Sequence, residues 1–245
     1  MSSQKSPIQS ELAYQGLKQD ILECRLLPLA KIKTSYVCET YHISLGAARE
    51  ALSRLTSDGI VVMEAQKGFS VAPVSWEECE QLTETRAEIE VSCLSKSILN
   101  GDLEWESRLV AALHRLTRLH DEGLSSGPAG PEPAWLEAHA EFHRALVAAC
   151  PNRFLLDLRE ALYARSERYR HWALRLSLVR SQRDVRAEHV KLAALAQARD
   201  VEAASAAIHA HFMFTAQDLI SAARAAGDAI PDWRTPARRG AVPAL

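Results

Sequence analysis

The sequence has no uninterrupted apolar run of the roughly twenty residues that a bilayer-spanning helix requires, because Arg, Glu or His breaks every long apolar stretch. The first ten residues, MSSQKSPIQS, contain no apolar core and so do not read as a secretory signal. Together these absences predict a cytoplasmic protein with no membrane partner. Cysteine is sparse and unpatterned: Cys24, Cys38, Cys79, Cys93 and Cys150 are odd in number and show no CxxC spacing. That argues against a disulfide framework or a thiolate metal site, and for small buried apolar residues. Also missing are HExxH, G-x-S-x-G and any Cys/His nucleophile pair, so the chain is not expected to be an enzyme. Net charge is scarce too: at -2 it offers no bulk attraction to a polyanion.

What is present is an ordinary globular composition, 47% hydrophobic and 24% charged, over 245 residues. That length suits two modest domains or one large one. Residues 9–23 place Leu12, Leu17, Ile21 and Leu22 near one helical face, and a second, shorter helix is expected over 33–40 after a connection containing Pro28. In the tract ISLGAAREALSRLTSDGIV (43–61), Ser44 can cap a third helix whose buried stripe is Ala48, Ala51, Leu52 and Leu55. Asp58-Gly59 stops it, and 60–64 and 69–73 read as two short strands around a QKG turn. Three helices followed by a two-stranded wing make a winged helix-turn-helix, assigned to residues 1–74.

In that geometry the first turn of the third helix points into the DNA major groove, with Ser44, Leu45 and Gly46 closest to base edges. Arg49, one turn on, has the fork for a guanine edge or a phosphate, or it can pair with Glu50 on the surface. Arg54 is a phosphate candidate, and Lys67 and Gly68 at the wing tip can follow the backbone or minor groove. Residues 1–74 hold eight Lys+Arg against seven Asp+Glu, so local placement and dimerisation must supply the attraction.

The order helix, LxPxxxI, helix, (V/I)SxxxxREAL and strand–KG–strand resembles the GntR superfamily of bacterial regulators, with REALSRLTSDGIV its most specific portion. This chain has SLGAA (44–48) where the family has S-R-T-P-V, which implies a different base readout. The resemblance implies a regulator that binds an inverted-repeat, double-stranded DNA operator as a homodimer.

From residue 76 the chain reads as helical throughout: 76–99, 102–121, 134–149, 152–176, 180–198 and 200–226, with the loop GLSSGPAGPEPA (123–134) between the second and third. The fold class is therefore mainly α: a winged helix-turn-helix, then an all-helical bundle over 75–226 large enough to enclose a ligand pocket. The tail 227–245 has little to bury and is expected to be disordered. The segments LTETRAEIE (82–90), HAEFHRALVAACPNRFLLDL (139–158), EHVKLAALAQARDVEAA (188–204) and HAHF (209–212) are similar to the FCD ligand-binding domain of the FadR subfamily. The double histidine of HAEFH and the RYR of SERYRHWAL look most like regulators of the carbon-starvation (CsiR) type.

His139 and His143, four apart, project from one helix face and can touch a single ion. His189 and His211 lie on the last two helices, where a bundle lets them face inward. Metal-binding FCD domains have an Asp and a His four apart followed by two more histidines. By that resemblance His143, His189 and His211 occupy the histidine positions and His139 replaces the acid. An all-nitrogen set suits zinc or nickel, and four neutral imidazoles leave the ion's charge uncompensated, which would draw an acidic effector. Arg86, one turn before Glu90, can bind an effector carboxylate or be locked to Glu90. Arg168 is the arginine of 165–170 expected to turn inward to an anion. Trp135 and Trp172 would let the pocket take an aromatic acid as well as a small organic one. The expected function is a DNA-binding repressor of a catabolic operon, released by a small carboxylate at a metal-containing pocket. A metal-dependent hydrolytic enzyme and a protein-interaction module are the alternatives.

Overall fold

The computed structural model describes the main chain at residues 5–22, 25–125, 131–175 and 183–226, and side chains at 9–22, 25–125, 131–170 and 183–221. The expected tail, 227–245, and the Trp172 side chain lie outside the described residues. The chain divides into two compact units, one of residues 1–78 with 167–172 and 226–245, the other of 79–166 with 173–225.

The first unit contains α1 (Lys5–Leu22), β1 (Lys31–Ile32), α2 (Thr34–Tyr41), α3 (Leu45–Ser57), β2 (Val61–Glu64) and β3 (Gly68–Val71). The three helices pack on one another. Helix α1 starts before residue 9, and its buried face is Ala13, Leu17 and Ile21, at i, i+4 and i+8; Leu12 is exposed instead. Helix α3 begins where Ser44 Oγ accepts from the Ala47 amide at 3.3 Å, which satisfies one of the donors left open at a helix start. It buries Ala47, Ala48, Ala51, Leu52 and Leu55, the small residues allowing close approach of its neighbours. The wing is a three-stranded sheet of order β1-β3-β2, all antiparallel, with Met63 opposite Phe69 and Lys31 opposite Ser70. The reversal between β2 and β3 needs positive φ at Gln66 (65°) and at Gly68 (81°), where glycine has no Cβ to clash.

The second unit is built from α4 (Trp76–Asn100), α5 (Leu103–Asp121), α6 (Pro133–Val147), α7 (Arg153–Arg175), α8 (Val185–Gln197) and α9 (Val201–Ala226). No strand occurs in it among the described residues. The fold is thus the expected one: mainly helical, with an N-terminal helix-turn-helix and small sheet followed by a helical bundle. The bundle core joins Leu94, Trp105, Leu109, Phe142, Leu192 and Ile208. The α4–α5 corner depends on Gly101, because a Cβ there would lie 2.2 Å from the Trp105 ring. Asp102 caps α5 by accepting from the Trp105 amide at 2.8 Å, which seats that indole in the core. Pro133 in the first turn of α6 and the Asp184 cap on α8 fix the starts of two helices that carry histidines.

Candidate metal centre and nucleic-acid interface

In the helical unit α6 contributes His139 and His143, α8 contributes His189 and α9 contributes His211. All four are buried, and one ring nitrogen from each lies within 4.8 Å of the others. The expected ligand set is therefore brought together. His143 is 0% exposed, and neither of its ring nitrogens has a hydrogen-bond partner among the described residues. Burying an imidazole with both nitrogens unsatisfied costs about 1–3 kcal/mol. Burial, reinforced by the neighbouring histidines, pushes its pKa well below the ordinary value, so it carries a free lone pair. A divalent cation among the four rings would satisfy one of those two nitrogens by accepting its lone pair, so the residues fit a metal.

His211 shows how such a ring is oriented. Its Nδ1 lies 2.8 Å from Glu188 Oε2, which leaves Nε2 as the ligand atom. Burial lowers the His211 pKa even though Glu188 pulls the other way, so the ring is neutral near pH 7. Burial alone would raise the Glu188 carboxyl, but hydrogen bonds from His211 and Arg183 bring it down to about 2. Glu141, between the two α6 histidines in sequence, points away and pairs with Arg115 at 2.6 Å.

Beside the cluster, Arg86 lies 4.2 Å over the Phe212 ring, which in turn packs against the His143 and His211 rings. Its Nη1 donates to Ser166 Oγ at 2.6 Å, while Nε and Nη2 both reach Glu90 Oε1 at a long 3.4 Å. The other Glu90 oxygen accepts from Arg159 Nε at 2.8 Å. Two buried guanidiniums thus share one buried carboxylate; Arg159 Nη1 also reaches the more exposed Glu160 at 3.4 Å, and Arg159 Nη2 has no hydrogen-bond partner among the described residues. Arg159 gave no signal at the sequence level because its partner is 69 residues away. Trp135 stacks on His139 with ring centroids 5.1 Å apart.

Arg168 groups with the N-terminal unit, buried, and its Nη1 donates to the Ala72 carbonyl at 3.3 Å. The reason is helical rotation: Ser166 faces Arg86, and two residues further the side chain has turned by about 200°.

In the N-terminal unit a cleft of about 700 Å³ is lined by Lys31, Lys33, Arg49 and Lys67, together with Thr34, Ser35, Ser53, Met63, Gly68 and Phe69. No acidic residue lines it. Arg49 makes no ion pair among the described residues, because Glu50 instead accepts from Ser10 Oγ at 3.0 Å. Leu45 and Gly46 are exposed at the start of α3, and a Cβ on Gly46 would meet nothing nearer than 3.9 Å. Lys67 pairs with Glu64 at 2.6 Å in an exposed bridge that a phosphate can displace at little cost. Arg54 does not reach the cleft. It turns toward α1, where it pairs with Glu11 at 2.7 Å and lies 4.1 Å over the Tyr14 ring. Residues 50, 54 and 58 form one face of α3 and its cap, and all three bond to α1. Lys31 and Lys33, missed in the sequence, flank Ile32 immediately before α2; the KIKTS run was the signal.

Residues 81–214 match the FCD domain, and residues 9–71 match the bacterial regulatory proteins of the gntR family. The chain belongs to the GntR family. Its FCD part is the helical unit with the histidine cluster, and the GntR part is the unit with the basic cleft. Among related proteins, the HTH-type transcriptional regulator BphR of Paraburkholderia xenovorans (strain LB400) is 37% identical over 82% of this chain and 81% of its own length. The HTH-type transcriptional repressor GlaR of Escherichia coli (strain K12) is 34% identical over 82% of this chain and 90% of its own. In fold the chain is similar to E. coli McbR/YncC, with a TM-score of 0.70 at 19% identity, over 87% of this chain and 97% of that one. The relatives are transcriptional regulators and not enzymes, so this GntR protein is a DNA-binding transcription regulator. No described helix is long and apolar enough to cross a membrane.

Proposed function

We propose that this GntR regulator is a cytoplasmic homodimeric repressor of a catabolic operon, released from its operator by a small carboxylate bound at the histidine cluster. The observation that carries the proposal is a buried four-histidine site next to a buried arginine. His139, His143, His189 and His211 would hold a zinc or nickel ion, and a bound divalent ion supplies uncompensated positive charge for an acid. Arg86 adds a guanidinium one aromatic ring away, held to Glu90 only at 3.4 Å and so exchangeable for an incoming carboxylate. Trp135, stacked on His139, favours an aromatic acid as readily as an aliphatic one. The HAEFH and RYR segments support kinship with regulators of the carbon-starvation (CsiR) type, and the repressor assignment accords with the relative GlaR.

At the operator Arg49, Lys31, Lys33 and Lys67 would contact phosphate or base edges from the cleft. Ser44, Leu45 and Gly46 would form the approach of α3 to the major groove, and Gly68 the close approach of the wing. Two subunits related by a two-fold axis would read an inverted repeat. Release requires that the acid bind the non-operator form more tightly, since equal affinity for both forms shifts nothing. The test is thermal-shift screening of organic acids with and without chelator, followed by gel shifts with the hit. An acid that raises Tm only when metal is present, and weakens operator binding, is the expected result. Stabilisation unaffected by chelator would refute the metal-centred pocket.

A further inference from the structure

Glu188 and Arg183 lie five residues apart around the start of α8, and neither is among the four histidines. Because a carboxylate ion only accepts hydrogen bonds, the 2.8 Å contact between Glu188 Oε2 and His211 Nδ1 requires the ring proton to sit on Nδ1. The ring's other nitrogen, Nε2, then carries the lone pair. Glu188 cannot hold this geometry alone, since its side chain is 28% exposed and has three rotatable bonds. Arg183 holds it from both sides, with Nε donating to Oε1 at 2.9 Å and Nη2 to Oε2 at 2.5 Å. Arg183 is in turn fixed to α9, where Nη1 reaches Thr215 Oγ1 at 3.2 Å and Asp218 Oδ2 at 3.4 Å, and Nη2 reaches the His211 carbonyl at 3.4 Å. One guanidinium thus spans the two helices that carry His189 and His211.

We propose that Arg183 and Glu188 are positioning residues for the metal centre: Arg183 locks the Glu188 carboxylate, and that carboxylate presents His211 Nε2 to the other three histidines. The inference rests on the metal-centre reading of the cluster. The Arg183 guanidinium offsets the Glu188 charge in part, since it is shared with Asp218. Partners of this kind change metal affinity by about 10- to 100-fold when removed.

The experiment measures Zn2+ affinity of the full chain by competition with a chromophoric chelator, for wild type, Glu188→Ala, Glu188→Gln, Arg183→Ala, Arg183→Lys and Arg186→Ala. Glu188→Ala and Arg183→Ala should lose about 10- to 100-fold in affinity. Glu188→Gln should lose less, because its amide oxygen still accepts from Nδ1. Arg186→Ala, on the same helix but paired with exposed Asp121, should bind as wild type. Two-bond 1H–15N spectra of the metal-free chain supply a readout that general loosening would not produce. His211 should be the Nδ1–H tautomer in wild type and Glu188→Gln, and a mixture in Glu188→Ala. If circular dichroism shows that an alanine variant fails to fold, Glu188→Gln and Arg183→Lys carry the affinity test. Wild type that binds no Zn2+ overturns the metal reading and this inference together. Wild type that binds Zn2+, with Glu188 and Arg183 variants matching its affinity and tautomer, overturns this inference alone.

Discussion

Replacing His143 with leucine should move the stability of this regulator in opposite directions depending on whether metal is present. In the metal-free protein His143 is fully buried with both ring nitrogens unpartnered among the described residues, between Phe142 and the Phe212 ring 5.6 Å away. Leucine has similar bulk and no polar atoms, so it removes an unsatisfied group whose burial costs about 1–3 kcal/mol. A net gain of about 1–2 kcal/mol corresponds to a Tm increase of roughly 2–8 °C for a chain of this size. With zinc at a hundred times its Kd, wild type should gain about 2.7 kcal/mol. If losing one of four ligands weakens binding a hundredfold, the same zinc concentration stabilises the leucine variant by only about 0.4 kcal/mol. The order of stabilities therefore inverts on adding metal. The sign of the pH dependence follows from the depressed His143 pKa. As pH falls below about 6.5 the unfolded chain binds a proton that the native chain refuses, so metal-free wild type loses up to about 1.4 kcal/mol per pH unit. The leucine variant lacks that contribution. Differential scanning calorimetry at pH 7.5 and pH 5.5, with chelator and with zinc, measures all four states. A leucine variant less stable than wild type in chelator would refute the reasoning, as would an undiminished zinc shift.

Glu90→Gln leaves two buried guanidiniums without their shared counter-charge and should cost about 3–5 kcal/mol, read as a lower urea midpoint; an unchanged midpoint would show that the triad contributes no net stability. Arg49→Ala should abolish operator binding in gel shifts while leaving Tm unchanged, and retained affinity would remove Arg49 from the interface. Lys31→Ala and Lys33→Ala should each reduce the slope of log K against log salt by about 0.9 for every phosphate no longer neutralised, whereas Arg54→Ala should leave that slope alone. Ser44→Ala removes the α3 cap and should lower stability by about 1 kcal/mol in free protein, so its effect on DNA affinity must be compared at equal folded fraction.

Features carried by local spacing are legible in the sequence. The Ser44 cap, the alanine and leucine stripe of α3, the turn around Lys67-Gly68 and the four-residue step from His139 to His143 all follow from periodicities that the chain cannot hide. What escapes depends on partners distant in sequence. Strand β1 is only two residues long and exists because Ser70 and Phe69 pair with it. Arg54 reads like any cation of a recognition helix until Glu11, 43 residues earlier, claims it. Arg168 reads as inward-facing, but its direction depends on the phase of α7, which is set where Ser166 meets Arg86 across 80 residues. The Arg183–Glu188 spacing of five is not a helical repeat, because Arg183 stands before the first turn of α8.

The near-neutral charge of residues 1–74 weighs against a DNA-binding role only while the charges are summed, and the structure changes what that number means. Cations and acids are sorted by position. Arg54 and Arg25 are paired with Glu11 and Asp20, Lys18 donates to Tyr14, and Asp58 and Glu50 accept from Tyr14 and Ser10. All of these lie away from the cleft, where Lys31, Lys33, Arg49 and Lys67 stand with no acid among the lining residues. A sum over the segment cancels charges that are spatially separated, while a phosphate within the ~8 Å screening length at physiological salt responds mainly to the local four. Net charge of a segment therefore tests only long-range steering. Contact with DNA is decided by which cations gather on one surface: in this chain Glu11, Glu50 and Asp58 are engaged between α1 and α3, away from the cleft, and Glu64 meets Lys67 only in an exposed bridge at the wing.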